Sequence, residues 1–372
     1  MSTLDLFDEQ SSKHQYLPEI SEEQMSDAEV LLELDLLHKK LSDRVVVLGH
    51  HYQSDDIIRY ADITGDSLAL SQKAAKIKKP YVIFCGVHFM AETADIVADP
   101  GQQIILPDLN AGCSMADMAS DEQIRKAWKY IGECTKAKII PITYINCDAR
   151  LKAFVGEHDG SICTSSNAKK VIQWAFSRGE KLMFFPDQHL GRNSCFELGI
   201  GLDEMVVYNP NMYRGGLSAQ QIENAKVILW YGFCSVHQGF SLEQVENLKK
   251  QNPAMNIIVH PECNFEVVQA AHMNGSTSYI IDTIAKAPAG SQWAVGTEIN
   301  LVNRLAREYS DKKIISLSPY QCLCTTMYRV RPRWLLASYR AIDRAQPINV
   351  VSVPAELKAN ARLALERMFA VS

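Results

Sequence analysis

Residues 44–53, RVVVLGHHYQ, read as a strand that runs into a polar corner. The run is β-branched and apolar without alternation, as in a strand covered on both faces, and it breaks off at Gly49. Two later stretches have the same form: residues 138–146, KIIPITYIN, and residues 255–263, MNIIVHPEC. The elements after each of the three are also alike. After the first come a helix, loop and helix (54–77), a strand (81–86), a helix (88–97) and a last strand that ends at Cys113. After the second come a helix and loop (148–160), a helix (165–176), strand and turn (180–193) and a strand ending at Cys234. The third round passes through 266–286 and 292–309 and ends at 312–324, with Cys322 and Cys324.

This is a long-period internal repeat, recognised by element order and landmarks. His50, Asn146 and His260 follow the first strand of each round; Ser67, Ser165 and Thr277 follow the first helix and loop; Cys113, Cys234 and the Cys322/Cys324 pair follow the last strand. Alternating strands and helices predict parallel α/β layers. The expected fold is α/β: three similar α/β/α domains in a pseudo-threefold triangular array around a central active site. The expected boundaries are an N-terminal arm (1–28), a first domain (29–113 with the C-terminal segment 325–372), a second (114–234) with an insertion near 190–218, and a third (235–324).

Composition sets the class. The 372 residues are 47% apolar and 22% charged, with a formal net charge of -5, ordinary for a globular chain. No block of like charge suits nucleic acid or an acidic membrane, so neither is expected as a partner. The acidic, polar start is no secretory signal and no apolar run is long enough to span a bilayer, so a cytoplasmic location is expected. Ten cysteines in that compartment are not a disulfide framework.

Ligands bind beyond the carboxyl ends of parallel strands. Three domains around one axis would turn their corners to one cavity, where single distant cysteines can meet without any CxxC motif. Cys113, Cys234 and one of the late pair could hold zinc, or a [4Fe–4S] cluster with one iron left open as a Lewis acid. Cys85, Cys134, Cys147, Cys163, Cys195 and Cys263 occupy no repeated position and read as structural. Ser67, Ser165 and Thr277 lie where helices begin, which allows capping or the binding of carboxylate and phosphate. His50, His51, Tyr52, Tyr144, Asn146, His237, His260 and Glu262 add a dense polar cluster suited to acid–base chemistry. There is no GxGxxG, no Walker motif and no HExxH.

The ordered set GHHYQ, GDS, DLNAGCSMAD, YIN, TSSNA, GFCSVH, HPE, GST and a cysteine-x-x-Met resembles the quinolinate synthases, over about residues 40–330. That family condenses iminoaspartate with dihydroxyacetone phosphate, with loss of phosphate and water, in de novo NAD biosynthesis. The resemblance implies a [4Fe–4S] cluster on Cys113, Cys234 and Cys324, the last chosen because CTTM (324–327) matches cysteine-x-x-Met. Repeat spacing slightly favours Cys322. The resemblance further implies substrate contacts from His50, Ser67, Tyr144, Ile145, Asn146, Ser165, His260, Pro261, Glu262 and Thr277. Glu262 is expected as general base, Tyr52 as proton donor or acceptor, and His237 beside them. L-aspartate oxidase is implied as supplier of iminoaspartate, and a homodimer is compatible. The N-terminal arm, the insertion and the lack of the CxxCxxC of some longer members depart from the family pattern. Two other readings share the cysteines: a three-cysteine [4Fe–4S] hydro-lyase and a non-enzymatic iron–sulfur sensor.

Overall fold

Strands whose side chains are apolar on both faces need cover on both faces, and a parallel sheet flanked by helices provides it. The computed structural model describes residues 24–320 and 322–372; residues 1–23 of the expected arm lie outside the described residues. The first unit holds β1 (Val45–His50), β2 (Ile63–Gly65), β3 (Tyr81–Cys85) and β4 (Gln103–Ile105), in the spatial order β2-β1-β3-β4. The second holds β5 (Ile139–Tyr144), β6 (Ser161–Cys163), β7 (Lys181–Phe185), β8 (Met205–Tyr208) and β9 (Val227–Trp230), ordered β6-β5-β7-β9-β8. The third holds β10 (Asn256–Val259), β11 (Met273–Asn274), β12 (Gln292–Gly296) and β13 (Lys313–Ser316), ordered β11-β10-β12-β13. With β8 set aside, all three follow one scheme, second–first–third–fourth, and every neighbouring pair in it is parallel. The α/β fold of three similar units is therefore as expected.

The sequence reading counted three strands per round, and the structure has four. β2, β6 and β11 are only two or three residues long; β2 and β11 lie inside stretches read as helix and loop, and β6 lies between two such stretches. So short a run shows no alternation. The last strands also stop earlier than expected. β4 ends at Ile105, well before Cys113, and Cys234 and Cys324 likewise sit in loops beyond β9 and β13.

Residues 190–218 divide. Those up to Glu197 belong to the helix Gln188–Glu197, the counterpart of His88–Val97 and Ile299–Glu308. The rest, with β8, has no counterpart. The C-terminal segment 325–372 divides too. Helix Pro332–Asp343 joins the first unit through Tyr339 on His38 Nδ1 at 2.8 Å and Arg340 on Glu33 at 2.6 Å. β14 (Val350–Val351) extends the first sheet, antiparallel to β4. The final helix, Ala355–Val371, is seated on the second unit, where Arg367 donates to the carbonyls of Gly156 and Gly160. Its approach to helix Ala149–Glu157 is close enough that any Cβ at Gly156 would strike the Asn360 carbonyl. Arg362 of the same helix donates to Ile96 O at 2.7 Å, so it ties the first unit to the second. Among the described residues no helix is long and apolar enough to cross a membrane.

Candidate active site

Equivalent corners of the three units face one cavity, which encloses about 640 Å³ of atom-free space including its mouth. Its lining includes Cys113, Cys234 and Cys324, the hydroxyl residues Ser67, Ser165 and Thr277, and His50, Tyr52, Tyr144, Asn146, His237, His260 and Glu262. Two expected contacts are not in the lining. Ile145 is buried in the apolar core, and Pro261 faces a separate groove beside Asn193.

The three cysteines share a local structure. Each is followed three residues later by a 3-10 turn: Ala116–Met118, His237–Gly239 and Met327–Arg329. In each, the fourth residue donates its N–H back to the cysteine carbonyl: Asp117 to Cys113 at 3.2 Å, Gln238 to Cys234 at 3.1 Å and Tyr328 to Cys324 at 3.0 Å. Cys322 lacks this turn; it is 8% exposed and packs into the core of the third unit with Phe240 and Leu317. The structural repeat thus aligns Cys324, and not Cys322, with Cys113 and Cys234. A sequence signal was available: Ser114, Ser235 and Thr325 follow the aligned cysteines, whereas Leu323 follows Cys322.

Burial pushes all three thiols up, Cys113 to about 12, while backbone N–H groups of the turns work the other way. Thiols so placed ionise only beside a resident cation. Among the described residues, the ligand atoms found within 4.8 Å of one another, the spacing of a single ion, belong to Cys234, His237 and Glu262. The three sulfurs do not form such a set.

The first-strand histidines are held in one tautomer. His50 Nδ1 accepts the Tyr52 backbone N–H at 3.2 Å, and His260 Nδ1 accepts that of Glu262 at 3.3 Å. Burial lowers both imidazoles to about 3. Each is therefore neutral, with its proton on Nε2 as a donor. In the second unit Asn146 stands in the same place, and its buried Oδ1 has no protein partner.

Glu262 is 3% exposed and lies at the middle of a chain of polar contacts. Tyr144 donates its hydroxyl to Oε1 at 2.5 Å. His237 Nδ1 is 2.8 Å from Oε2, although its N–H is not aligned for a hydrogen bond. His237 Nε2 meets Thr297 Oγ1 at 3.2 Å, and Thr297 Oγ1 meets the Tyr52 hydroxyl at 2.6 Å. Burial pushes the Glu262 carboxyl up, but the charge that the His260 and His237 imidazoles gain in acid, together with the bond from the Tyr144 hydroxyl, outweighs it and holds the group well below the usual carboxylate range. Burial and then the Glu262 charge raise both Tyr52 and Tyr144, so both phenols keep their protons.

The sequence reading missed three residues. Thr297 joins Tyr52 of the first unit to His237. Glu298 accepts the Cys324 N–H at 3.4 Å and so fixes the loop that carries this cysteine. Asp66 caps the helix Ser67–Ala74 by accepting the Ala69 N–H at 2.9 Å. This last bond also changes the meaning of the hydroxyl landmarks. The caps are Asp66 and Ser276, one residue before Ser67 and Thr277; the helix after Ser165 starts two residues later, behind Asn167, whose side chain accepts the Thr164 N–H and caps nothing. Ser67, Ser165 and Thr277 make no side-chain cap, and all three line the cavity.

The family model described as "Quinolinate synthetase A protein" matches residues 34–370. The chain is 49% identical over 361 residues to the quinolinate synthase of Anoxybacillus flavithermus, covering 96% of this chain and 97% of that one. It is 51% identical over 337 residues to that of Herpetosiphon aurantiacus, covering 90% of each. It is 47% identical over 373 residues to that of Bacillus subtilis, covering the whole of both. A match of this length and identity leaves one assignment: the chain belongs to the quinolinate synthetase A family.

Proposed function

We propose that this chain is a quinolinate synthase that condenses iminoaspartate with dihydroxyacetone phosphate, with loss of phosphate and water. The observation that carries the reading is the meeting, in one cavity, of three equivalent cysteines, three hydroxyls free of capping and the Glu262 chain, each set drawn from more than one unit. Cys113, Cys234 and Cys324 would hold a [4Fe–4S] cluster. The donor set fits: all three are sulfurs, each receives backbone N–H groups from its own turn, and they are not grouped at the spacing of one ion. When bound, such a cluster supplies an open iron that acts as a Lewis acid on a substrate oxygen.

The protein groups divide the remaining work. Ser67 and Thr277 open helices of 8 and 10 residues, so their hydroxyls and the N–H groups beside them suit a phosphate or carboxylate. His50 and His260 offer Nε2–H, and Asn146 its amide, to orient a dicarboxylate. Glu262 is ionised and takes a proton from substrate carbon. Tyr144 and Tyr52 stay protonated and return protons to developing oxyanions. His237 and Thr297 hold Tyr52 and Glu262 in one network, which keeps these roles in register.

The test is an anaerobic preparation assayed for quinolinate by mass. It should be brown, contain about four irons per chain and lose both colour and activity in air. A colourless protein with full activity would overturn the cluster; a dehydrated single substrate in place of quinolinate would overturn the reaction.

A second expectation concerns the hydroxyls. Ser67→Ala, Ser165→Ala and Thr277→Ala should each weaken binding of the triose phosphate or the dicarboxylate by roughly tenfold, the scale of one hydrogen bond to a charged group. Thermal unfolding should be nearly unchanged, because none of the three caps its helix. Normal binding with lowered stability would reverse the assignment.

A further inference from the structure

The three hydroxyls are useful together only if the three units keep their corners at a constant spacing, and the loops that carry them come from separate sheets. One buried carboxylate joins those loops. Asp66 is 6% exposed; its Oδ1 accepts the Ala69 N–H, and its Oδ2 accepts two hydroxyls, Ser166 and Ser278, each at 2.7 Å. The three residues belong to three different units. Each is also the chain neighbour of a hydroxyl facing the cavity: Asp66 precedes Ser67, Ser166 follows Ser165, and Ser278 follows Thr277. Asp66 itself is in the cavity wall, while Ser166 lies in an outer groove with Asn193, Ser276 and Tyr279; that groove shares Ser165 with the cavity. The bonds therefore lie between the cavity and the neighbouring groove.

We infer that Asp66 is a positioning residue: through Ser166 and Ser278 it clasps the three units together and sets the distances among Ser67, Ser165 and Thr277 that one anionic group must span. The inference rests on the proposed reading of this end of the cavity as the site of a phosphate or carboxylate. A carboxylate beside an anion site repels the anion, so on electrostatics alone its removal should tighten binding. The clasp requires the opposite. Two hydroxyl donors and a backbone N–H on the Asp66 carboxylate disperse its charge, and burial is offset by these bonds so that the group stays ionised. Ser166 is exposed, so its bond competes with water and the two hydroxyls are best removed together.

The experiment uses the anaerobic holoprotein and three variants: Asp66→Ala, Asp66→Asn and the double variant Ser166→Ala/Ser278→Ala. Binding of inorganic phosphate and of dihydroxyacetone phosphate is measured by calorimetry, and kcat and KM by quinolinate formation. The expected result for the double variant is a Kd for both ligands, and a KM for the triose phosphate, raised by roughly tenfold or more, with kcat within about threefold of the parent. Asp66→Ala should also weaken binding. Asp66→Asn should stay close to the parent, because its amide oxygen can still cap Ala69 and its amide N–H can donate to the two hydroxyl oxygens. Unchanged or tighter binding in the double variant would overturn the clasp, as would a fall in kcat with KM unmoved. If Asp66→Ala fails to fold because its cap is lost, the double variant, which touches no cap, still decides. If the parent makes no quinolinate, the functional reading fails; phosphate affinities of parent and variants then still test the clasp on their own.

Discussion

Glu262→Gln is expected to lower quinolinate formation by about 10²-fold or more while leaving the iron content and the fold unchanged. Glutamine keeps the size of the side chain and can still accept the Tyr144 hydroxyl, but it cannot take up a proton. Condensing an enamine with a triose and aromatising the ring demand several proton removals, and Glu262 is an ionised carboxylate of this cavity that joins no helix cap and no bond between loops, unlike Asp66. The decisive measurement is an anaerobic rate set beside a binding titration with a dicarboxylate analogue. Affinity should hold and turnover should collapse. Near-normal turnover would remove Glu262 from the chemistry, and loss of iron would make its role structural, which its proximity to Cys234 gives reason to check.

Cys324→Ala should abolish the brown chromophore and activity together, and Cys322→Ala should keep both. Of the two, Cys324 carries the turn shared with Cys113 and Cys234 and lines the cavity with them, and Cys322 does neither. Its loop is also anchored at both sides, by Glu298 on its N–H and by Gln53 Nε2 on the Met327 carbonyl at 3.1 Å. Cys322 packs against apolar neighbours, so alanine there costs buried contacts and no ligand. The readout is iron and sulfide per chain with the absorption spectrum of the two variants. Retention of the cluster in Cys324→Ala, or its loss in Cys322→Ala, would exchange the two roles.

The repeat was readable because each round spells the same succession of continuous apolar strands and polar corners, and a parallel sheet covered on both faces leaves that pattern in any chain that forms one. Strand number was not. β2, β6 and β11 are held in place by pairing with their longer neighbours β1, β5 and β10, a tertiary condition with no local signature. Motif order marked most of the cavity wall, since residues at the ends of equivalent strands must share a face. Ile145 and Pro261 sit inside matched motifs but are not among the residues that line the cavity. Alternation along the chain decides such orientations, and a motif spans both directions.

By itself, then, the sequence determined the α/β class, the three units, and which histidines, hydroxyls and carboxylate gather at the corners, because these follow from local apolar pattern and from position after a strand. Only the tertiary structure decided the release of Ser67, Ser165 and Thr277 from capping and the two bonds of Asp66 to other units. Each of these depends on which side chain already satisfies a given N–H or hydroxyl. The caps settle it three residues along the chain, whereas Asp66 settles it with Ser166 and Ser278, 100 and 212 positions away, where the chain pattern carries no information about distance.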